Sequence, residues 1–242
     1  MKLPIDPGNV HLFAYTNEKY LSGAPKALVL SFHGLGYAQM PREHSDFSLA
    51  CAARGILLAA PYDSPWSWMN DTAVKTVDAI VDALLARHSA KDIPLVSTGG
   101  SMGGLSALIY ARYSAHPVAA CAAKYPVCDL PYHFTERPDL PRTIVSALAH
   151  YDMPFEQAME AISPLHQAER MPDIPYLILH GDRDLAVNQQ KHSERFVSAL
   201  QKAGRSVRYV PVPGAGHGNL PQEYEQIFEE FVFVSCEKNE AK

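Results

Sequence analysis

A single serine lies among four glycines in the stretch GGSMGG, residues 99–104. Apolar runs flank this stretch on both sides, LVST before it and LSALIYARY after it, which is unusual for a flexible linker. Residues 99–103 match the pattern G-x-S-x-G, which holds a nucleophilic serine on a sharp turn between a strand and a helix. Gly99 and Gly103 remove side chains that would collide with the backbone at such a turn. The pattern predicts a reactive Ser101 hydroxyl, exposed at the edge of a sheet.

Nucleophilic attack by this serine requires a base, because a hydroxyl is a weak nucleophile at neutral pH. The base is a histidine that a carboxylate orients, and with this serine pattern the expected chain order is serine, acid, histidine. The run YLILH leads into GDRDLAV, which supplies Asp182 and Asp184, and PGAGHGN places His217 between glycines. The residues predict His217 as the base of Ser101, with either aspartate available to orient it.

The same chemistry needs backbone N–H groups that stabilise negative charge on the oxygen of the reacting carbonyl. Ser101 precedes a predicted helix, so the N–H of Met102 is one expected donor to such an oxyanion. The stretch HGLG follows the first apolar run and offers the N–H of Leu35 as the second donor. In this loop we expect His33 to shape the backbone through hydrogen bonds rather than to act as a second base.

Aromatic residues near the predicted site have two interpretations. Trp66 and Trp68, in PYDSPWSWMN, follow a predicted strand and would either line a substrate pocket or cover the core. Their sequence context does not choose between these roles. Tyr132, His133 and Phe134 face the same choice, with packing the favoured role.

Composition and motifs argue against several other chemistries. The 11 histidines show no HxH or HExxH spacing, so we expect no catalytic metal. Neither GxxxxGK nor GxGxxG occurs, and no cofactor is expected. Since 21 basic and 26 acidic residues give a net charge of −5, nucleic acid is not an expected partner. The four cysteines lack CxxC spacing and are predicted to be buried free thiols.

The site residues must be positioned by regular elements, and apolar runs bounded by turn residues alternate with helical periodicity along the chain. The predicted strands cover residues 27–33, 56–60, 93–98, 118–125, 176–180 and 207–212. The predicted helices cover residues 45–54, 73–87, 102–113, 189–203 and 221–234. This alternation predicts an α/β fold, with a mostly parallel sheet flanked by helices. Ligands bind such sheets at the carboxyl ends of the strands, where the motifs above lie.

The 242-residue length is typical of one domain, so we expect residues 1–242 to form a single domain. Residues 129–172 interrupt the alternation. They are predicted to form a small helical insertion over the active site, with helices near 142–150 and 155–162. No run of about 18 apolar residues and no apolar leader region is present. We therefore expect a cytoplasmic protein without a membrane partner, and the sequence leaves its oligomeric state open.

With HGLG, GGSMGG, HGDRD and GAGHG in order between residues 27 and 235, the sequence resembles the α/β-hydrolases. Residues 163–187 are similar to the segment around the acid in the catalytic domain of the prolyl oligopeptidase family and of dienelactone hydrolase-like and acetyl esterase-like enzymes. In that family the last aspartate of HGxxD is the acid of the catalytic triad. The resemblance implies that Asp184 has this role, whereas Asn188 departs from a proline that relatives often carry.

The resemblance implies a serine carboxylic ester hydrolase with the triad Ser101, Asp184 and His217 and an oxyanion hole at Leu35 and Met102. Oligopeptidases of this family restrict access with an N-terminal propeller, and little sequence precedes residue 27 here. We therefore expect small-molecule esters as substrates, including acyl groups on sugars. A peptidase or acyl-peptide hydrolase is the first alternative. A non-catalytic binding module is the second, although such a protein would be expected to have lost a triad residue.

Overall fold

The computed structural model describes residues 4–36, 39–41 and 43–237, and within them seven strands form one sheet. The strand order across the sheet is β1-β3-β2-β4-β5-β6-β7. The strands are β1 (Ala14–Thr16), β2 (Ala27–Phe32), β3 (Ile56–Pro61), β4 (Leu95–Gly100), β5 (Ala120–Lys124), β6 (Tyr176–Gly181) and β7 (Val207–Val212). Strands β2 to β7 are parallel, and β1 pairs antiparallel with β3 at the edge. The predicted mostly parallel sheet is confirmed.

Helices cover both faces of the sheet, as the alternation of elements predicted. The helices outside the region between β5 and β6 are α1 (Asp46–Ala53), α2 (Asp71–Arg87), α3 (Met102–Tyr113), α8 (Arg195–Lys202) and α9 (Gln222–Glu237). Helices α1 and α9 pack on one face, and α2, α3 and α8 pack on the other. Side chains of β2 alternate between these two cores, with Leu28 and Leu30 on one face and Val29 on the other. Both faces of the strand are therefore buried, which explains its continuous apolar sequence.

Local side-chain hydrogen bonds explain where two of these helices begin. The Ser45 hydroxyl accepts from the N–H of Ser48 at 3.1 Å and caps α1. The Asn70 side chain accepts from the N–H of Ala73 at 2.9 Å and caps α2. Each contact pairs one of the N–H groups that the first turn of a helix leaves without a backbone partner.

The region between β5 and β6 forms the helical insertion. Its helices are α4 (Leu130–Glu136), α5 (Leu140–Leu148), α6 (Phe155–Ala161) and α7 (Pro164–Gln167). Helices α5 and α6 lie near the two helices that the sequence predicted. The insertion is fixed to the loop after β3 by a hydrogen bond from the Trp68 indole N–H to the Thr143 hydroxyl, at 3.1 Å.

The helix predicted for residues 189–203 contains a change of geometry. Its first part, Gln190–Glu194, is a π-helix, and α8 continues from Arg195. The π-helical turn holds His192 and Ser193, both wholly buried and hydrogen-bonded. Such turns occur where tertiary contacts override regular helix geometry.

Two further expectations concern the whole chain. The four cysteines all fall within the described residues, and each is a buried free thiol, as predicted. None of the helices in the described part of the chain combines the length and the apolar character needed to cross a bilayer.

Candidate active site

Ser101 occupies a strained turn between β4 and α3. Its backbone has φ +60° and ψ −126°, a conformation that non-glycine residues adopt only when surrounding structure enforces it. The Ser101 N–H donates to the Lys124 carbonyl at 3.0 Å, and the Ser101 carbonyl accepts from the Val127 N–H at 3.3 Å. Both contacts connect the turn to the end of β5, so the neighbouring strand fixes the position of the serine.

The glycines around Ser101 are required by close backbone packing. A Cβ atom on Gly99 would lie 2.2 Å from the Gly103 carbonyl oxygen, and one on Gly103 would lie 2.3 Å from the Phe32 carbonyl oxygen. Neither distance is sterically possible without movement of the backbone. Side chains at positions 99 and 103 would therefore collide with the backbone, as the G-x-S-x-G pattern led us to infer.

A chain of hydrogen bonds joins Ser101, His217 and Asp184 at the carboxyl ends of β4, β7 and β6. The distance from His217 Nε2 to Ser101 Oγ is 3.0 Å, and the distance from His217 Nδ1 to Asp184 Oδ2 is 2.7 Å. With the Nδ1 proton donated to the carboxylate, Nε2 is free to accept the serine proton. The arrangement can generate a nucleophilic serine oxygen.

Four donors hold the Asp184 carboxylate in its ionised form. Its Oδ1 accepts from the N–H groups of Ala186 and Val187 at 2.8 and 2.9 Å. Its Oδ2 lies 2.7 Å from His217 and 3.3 Å from Nε2 of the wholly buried His180. Burial would raise the pKa of Asp184, but hydrogen bonds from His180, His217 and Val187 outweigh burial and hold this pKa well below its usual range.

Asp182 makes a different contact. Its Oδ1 accepts from the Gly214 N–H at 2.7 Å and so connects the loop after β6 to the loop after β7. Asp184, and not Asp182, is hydrogen-bonded to His217. The local sequence left both aspartates as alternative partners of His217, and the geometry places Asp184 in that position.

Of the two predicted oxyanion donors, Met102 directly follows Ser101 and Leu35 lies on the wall of the same cavity. Met102 is the first residue of α3, so its N–H lies outside the hydrogen-bond ladder of the helix. Leu35 lines the same cavity as Ser101. His33 contributes to the geometry of the Leu35 loop, because its ring nitrogens lie 2.9 Å from the Gly34 carbonyl and 2.9 Å from the Asp63 carboxylate. These contacts agree with the predicted structural role of His33.

A cavity of about 580 Å³ opens over Ser101, a volume typical of small-molecule sites. Its wall contains Ser101 and His217 and reaches the helical insertion at His133 and Arg137. The aromatic residues of the wall are Phe32, Phe47, Tyr62, Trp68, Tyr125 and Phe228. The insertion therefore contributes to the site, as the sequence predicted.

The two tryptophans have different positions. Trp68 lines the cavity and is also wholly buried, so it serves both the pocket and the core. Trp66 does not belong to the described wall of the cavity. Its ring instead packs against the guanidinium of Arg142, 5.2 Å from the ring centre. Of the two roles that the sequence left open for these tryptophans, pocket lining fits the position of Trp68 and does not fit that of Trp66.

The three aromatic residues at the start of the insertion, Tyr132, His133 and Phe134, also differ in their positions relative to the cavity. Tyr132 packs edge-on against His192 and Phe134 against Phe155, with ring centres 5.6 and 5.4 Å apart. These two side chains have the packing role that was favoured. His133 differs, because it lines the cavity.

His133, Glu136 and His192 form a cluster whose ligand atoms all lie within 4.8 Å of one another, with both histidines buried and Glu136 half-buried. Two histidines and a carboxylate are a familiar set of zinc ligands. However, His192 Nδ1 accepts the N–H groups of Cys128 and Asp129, each at 3.0 Å, so its proton resides on Nε2. That proton is donated to Glu136 Oε2 at 3.0 Å, and a cation at this position would require a doubly deprotonated ring. The cluster is therefore suited to hydrogen bonding rather than to metal ligation.

Two residues at the end of β5 belong to the site although the sequence reasoning did not select them. The Tyr125 ring packs edge-on against His217, with ring centres 4.8 Å apart. Lys124 lines the cavity, and its Nζ lies 2.7 Å from the Glu225 carboxylate. Their position at the carboxyl end of a central parallel strand was an available signal.

A mostly parallel sheet with helices on both faces and a serine on the turn after a central strand is the arrangement of the α/β-hydrolase fold. The sequence matches the model of the prolyl oligopeptidase family over residues 63–234. The chain therefore belongs to that family. The resemblance inferred from the motifs is confirmed.

Comparisons with individual proteins agree with this assignment. The chain is 30% identical over 159 residues to dipeptidyl peptidase family member 6 of Caenorhabditis elegans, a match that covers 62% of the chain and 21% of that protein. It therefore spans about a fifth of the length of this relative.

Solved structures of both peptidases and esterases share the fold. Pyrococcus horikoshii acylaminoacyl peptidase superposes with a TM-score of 0.76 at 15% identity, covering 92% of the chain and 39% of the peptidase. A puromycin-hydrolyzing peptidase of Mycobacterium tuberculosis gives 0.69 at 24% identity, covering 81% and 31%. Thermogutta terrifontis esterase 2 gives 0.62 at 20% identity, covering 90% and 86%. These similarities confirm the predicted fold class.

Proposed function

We propose that this protein hydrolyses carboxylic esters of small molecules, with Ser101 as nucleophile, His217 as base and Asp184 as the group that orients the base. The observation that carries the proposal is the hydrogen-bonded chain of these residues, with distances of 3.0 Å from Ser101 to His217 and 2.7 Å from His217 to Asp184. The strained backbone of Ser101 supports it, because such strain clusters at functional sites.

In the proposed cycle Ser101 Oγ attacks the ester carbonyl while His217 Nε2 takes the hydroxyl proton. The carbonyl oxygen becomes negatively charged, and the N–H groups of Leu35 and Met102 stabilise it. Collapse of this intermediate breaks the bond to the alcohol, which leaves with the proton from His217. A water molecule then attacks the acyl-enzyme with His217 again as base, and the acid is released. The ionised Asp184 stabilises the positive imidazolium in both halves of the cycle.

The dimensions and wall of the cavity support a small substrate. A volume of about 580 Å³ accommodates an acyl group and a small alcohol. Its aromatic wall offers apolar contact area for the acyl chain or for a sugar ring.

Cleavage of peptides or acyl-peptides is the alternative. The same nucleophile and base would serve an amide, with His217 protonating the leaving amine. Membership of the prolyl oligopeptidase family and the similarity to proteins described as peptidases favour this alternative. A non-catalytic binding module is disfavoured, because all three groups are present and hydrogen-bonded.

Steady-state hydrolysis distinguishes these functions. The substrates are 4-nitrophenyl esters from acetate to decanoate and an aminoacyl 4-nitroanilide, with the native protein, Ser101→Ala and the exposed control Ser22→Ala. We expect ester turnover in the native protein and in Ser22→Ala, loss of it in Ser101→Ala, and negligible anilide turnover. Comparable anilide turnover would favour the peptidase. Ester turnover that survives in Ser101→Ala would contradict the mechanism.

A further inference from the structure

His133 presents an unsatisfied acceptor to the cavity over Ser101. It lies on α4, lines the cavity and is 2% exposed. Its Nδ1 lies 2.6 Å from Glu136 Oε2, and its ring packs edge-on against Trp68 with centres 5.6 Å apart. No hydrogen-bond partner reaches the other ring nitrogen, Nε2, from the part of the chain that the structure describes.

The surroundings of Glu136 determine which nitrogen of His133 carries the proton. Glu136 accepts the Nε2 proton of His192 at 3.0 Å and the N–H of Asn188 at 2.9 Å. Burial would raise the pKa of Glu136, but hydrogen bonds from His133 and His192 lower it well below its usual range. An ionised carboxylate can only accept, so the His133 proton lies on Nδ1. The Nε2 atom is then an acceptor.

The neutral form of His133 is favoured by its surroundings. Burial lowers the pKa of this imidazole, because the charged ring would lose its hydration. Water can pair with this acceptor in the open cavity, but a substrate that fills the cavity displaces that water. A substrate without a donor then leaves the nitrogen unpaired, and a substrate that supplies a donor avoids this cost.

The charges of the cavity wall restrict what kind of donor fits. Lys124 and Arg137 line it, and no aspartate or glutamate is found among the described residues of the wall. Both cations are already paired, Lys124 with the Glu225 carboxylate at 2.7 Å and Arg137 with the Asp139 carboxylate at 2.5 Å. An ammonium group of a ligand would find no carboxylate in the described wall to pair with. A neutral hydroxyl or amide N–H needs only an acceptor.

We propose that His133 Nε2 is a specificity determinant, which accepts a hydrogen bond from a neutral hydroxyl or amide N–H group of the substrate. The inference rests on the proposed ester hydrolase and narrows its substrates. Preferred esters carry such a donor, as in hydroxyacyl, N-acylaminoacyl or sugar esters, and plain alkanoate esters leave His133 unsatisfied. A site built to bind a substrate O–H or N–H discriminates strongly against the analogue that lacks it.

Two pairs of 4-nitrophenyl esters test this inference. In the first, 3-hydroxybutanoate is compared with butanoate. In the second, N-acetylalanine is compared with 2-acetoxypropanoate, in which an oxygen replaces the N–H. We expect kcat/KM to favour the donor in at least one pair by roughly tenfold or more. The pair that shows the preference identifies the donor as hydroxyl or amide.

Two variants separate acceptance of a hydrogen bond from an effect on packing. His133→Asn retains an amide donor near Glu136 and removes the Nε2 acceptor. The ratio of kcat/KM between the two esters of the responsive pair should therefore fall to about 1. This ratio is corrected for the difference in intrinsic reactivity of the two esters. His192→Gln retains a donor to Glu136 and disturbs the contacts to Cys128 and Asp129. This control should retain the native ratio.

Equal rates within both pairs for the native enzyme would overturn the inference, as would a preference that persists in His133→Asn. A preference lost equally in His192→Gln would also overturn it, because placement of the insertion would then be the cause. Calorimetric binding of the same esters to Ser101→Ala provides a second readout. If no ester is hydrolysed, the proposed function fails, whereas the binding ratio between Ser101→Ala and Ser101→Ala/His133→Asn still decides the role of His133.

Discussion

At the scale of single residues, the two aspartates after β6 are adjacent in sequence and distinct in their contacts. Asp184 is buried and lies between His217 and His180, whereas Asp182 holds the N–H of Gly214. In the proposed cycle an ionised carboxylate at Asp184 keeps the His217 proton on Nδ1 and stabilises the imidazolium that forms during attack. Asp182 instead fixes the loop that carries His217.

Asp184→Asn should lower kcat by about 10⁴-fold, because an amide at this position favours the wrong tautomer of His217. Asp182→Asn keeps an oxygen that accepts from Gly214 N–H, so we expect a loss of less than about tenfold. Steady-state ester hydrolysis by the two variants measures this difference. Equal losses would show that Asp184 does not orient the base.

Local patterns identify Ser101 and His217 from the sequence, because glycines around each residue mark a turn whose geometry is defined within a few positions. They do not choose between Asp182 and Asp184, which follow the same strand. The resemblance to a family made that choice. The role inferred for His133 could not be predicted, because it depends on the proton positions set by Glu136 and on His192, far away in the sequence.

At the scale of elements, the turn between β4 and α3 places the helix directly against β2. A Cβ atom on Gly103 would lie 2.3 Å from the Phe32 carbonyl oxygen and 2.7 Å from the His33 carbonyl oxygen. Both atoms belong to the backbone at the carboxyl end of β2, so no side chain can move aside to make room. The start of α3 and the loop of Leu35 therefore depend on this contact.

Gly103→Ala should lower the free energy of unfolding by about 3 kcal/mol or more, because the methyl group must displace backbone. Gly23→Ala is the matched control, since a Cβ atom there meets no atom within 4 Å. We expect the control to change stability by less than about 0.5 kcal/mol. Denaturant unfolding measures both values, and similar stabilities for the two variants would contradict the close packing at the turn.

The elements that the sequence predicted are those with long apolar patterns. Strands β2 and β7 and helix α3 agree within about one residue with the predicted ranges, since burial imposes their periodicity. Strand β1 has three residues and α7 has four, too few for a pattern to emerge. Helix α4 begins after Asp129, whose side chain accepts from the Tyr132 N–H. Two of its residues, Tyr132 and His133, pack against His192, which is far away in the sequence.

At the scale of the whole molecule, two carboxylates hold together the segments around the site, the half-buried Glu136 and the buried Asp184. Glu136 joins α4 to the loop after β6 through Asn188 N–H and to the π-helical turn through His192. Asp184 joins the loops after β6 and β7 through His217. The pKa values of both carboxylates are lowered, against the effect of burial, by hydrogen bonds to histidines and backbone N–H groups.

Groups whose pKa is lower in the folded state stabilise the fold above their ordinary pKa values, 4.5 for Glu136 and 3.8 for Asp184. This stability is lost as pH falls through and below those values, because protons then bind the unfolded chain preferentially. The free energy of unfolding should therefore decrease from about pH 5 downward. Denaturant unfolding at pH values from 7 to 3 measures the decrease.

Glu136→Gln removes one of the two titrating groups. It should lower stability at pH 7 by about 1–3 kcal/mol, through weaker hydrogen bonds to the histidines, and should lose less stability than the native protein on acidification. Glu156→Gln, at an exposed position on α6, is the control and should follow the native pH dependence. An unchanged acid dependence in Glu136→Gln would contradict the assigned role of this carboxylate.

The central claim is that Ser101 forms a covalent acyl-enzyme, and trapping that species tests it most directly. The native protein is mixed with a 4-nitrophenyl ester, quenched in acid within milliseconds to seconds, digested and analysed by mass spectrometry. We predict a burst of nitrophenol together with a peptide that carries the acyl mass on Ser101, and no such peptide from Ser101→Ala. An acyl group on another residue, or ester turnover unchanged in Ser101→Ala, would contradict the account.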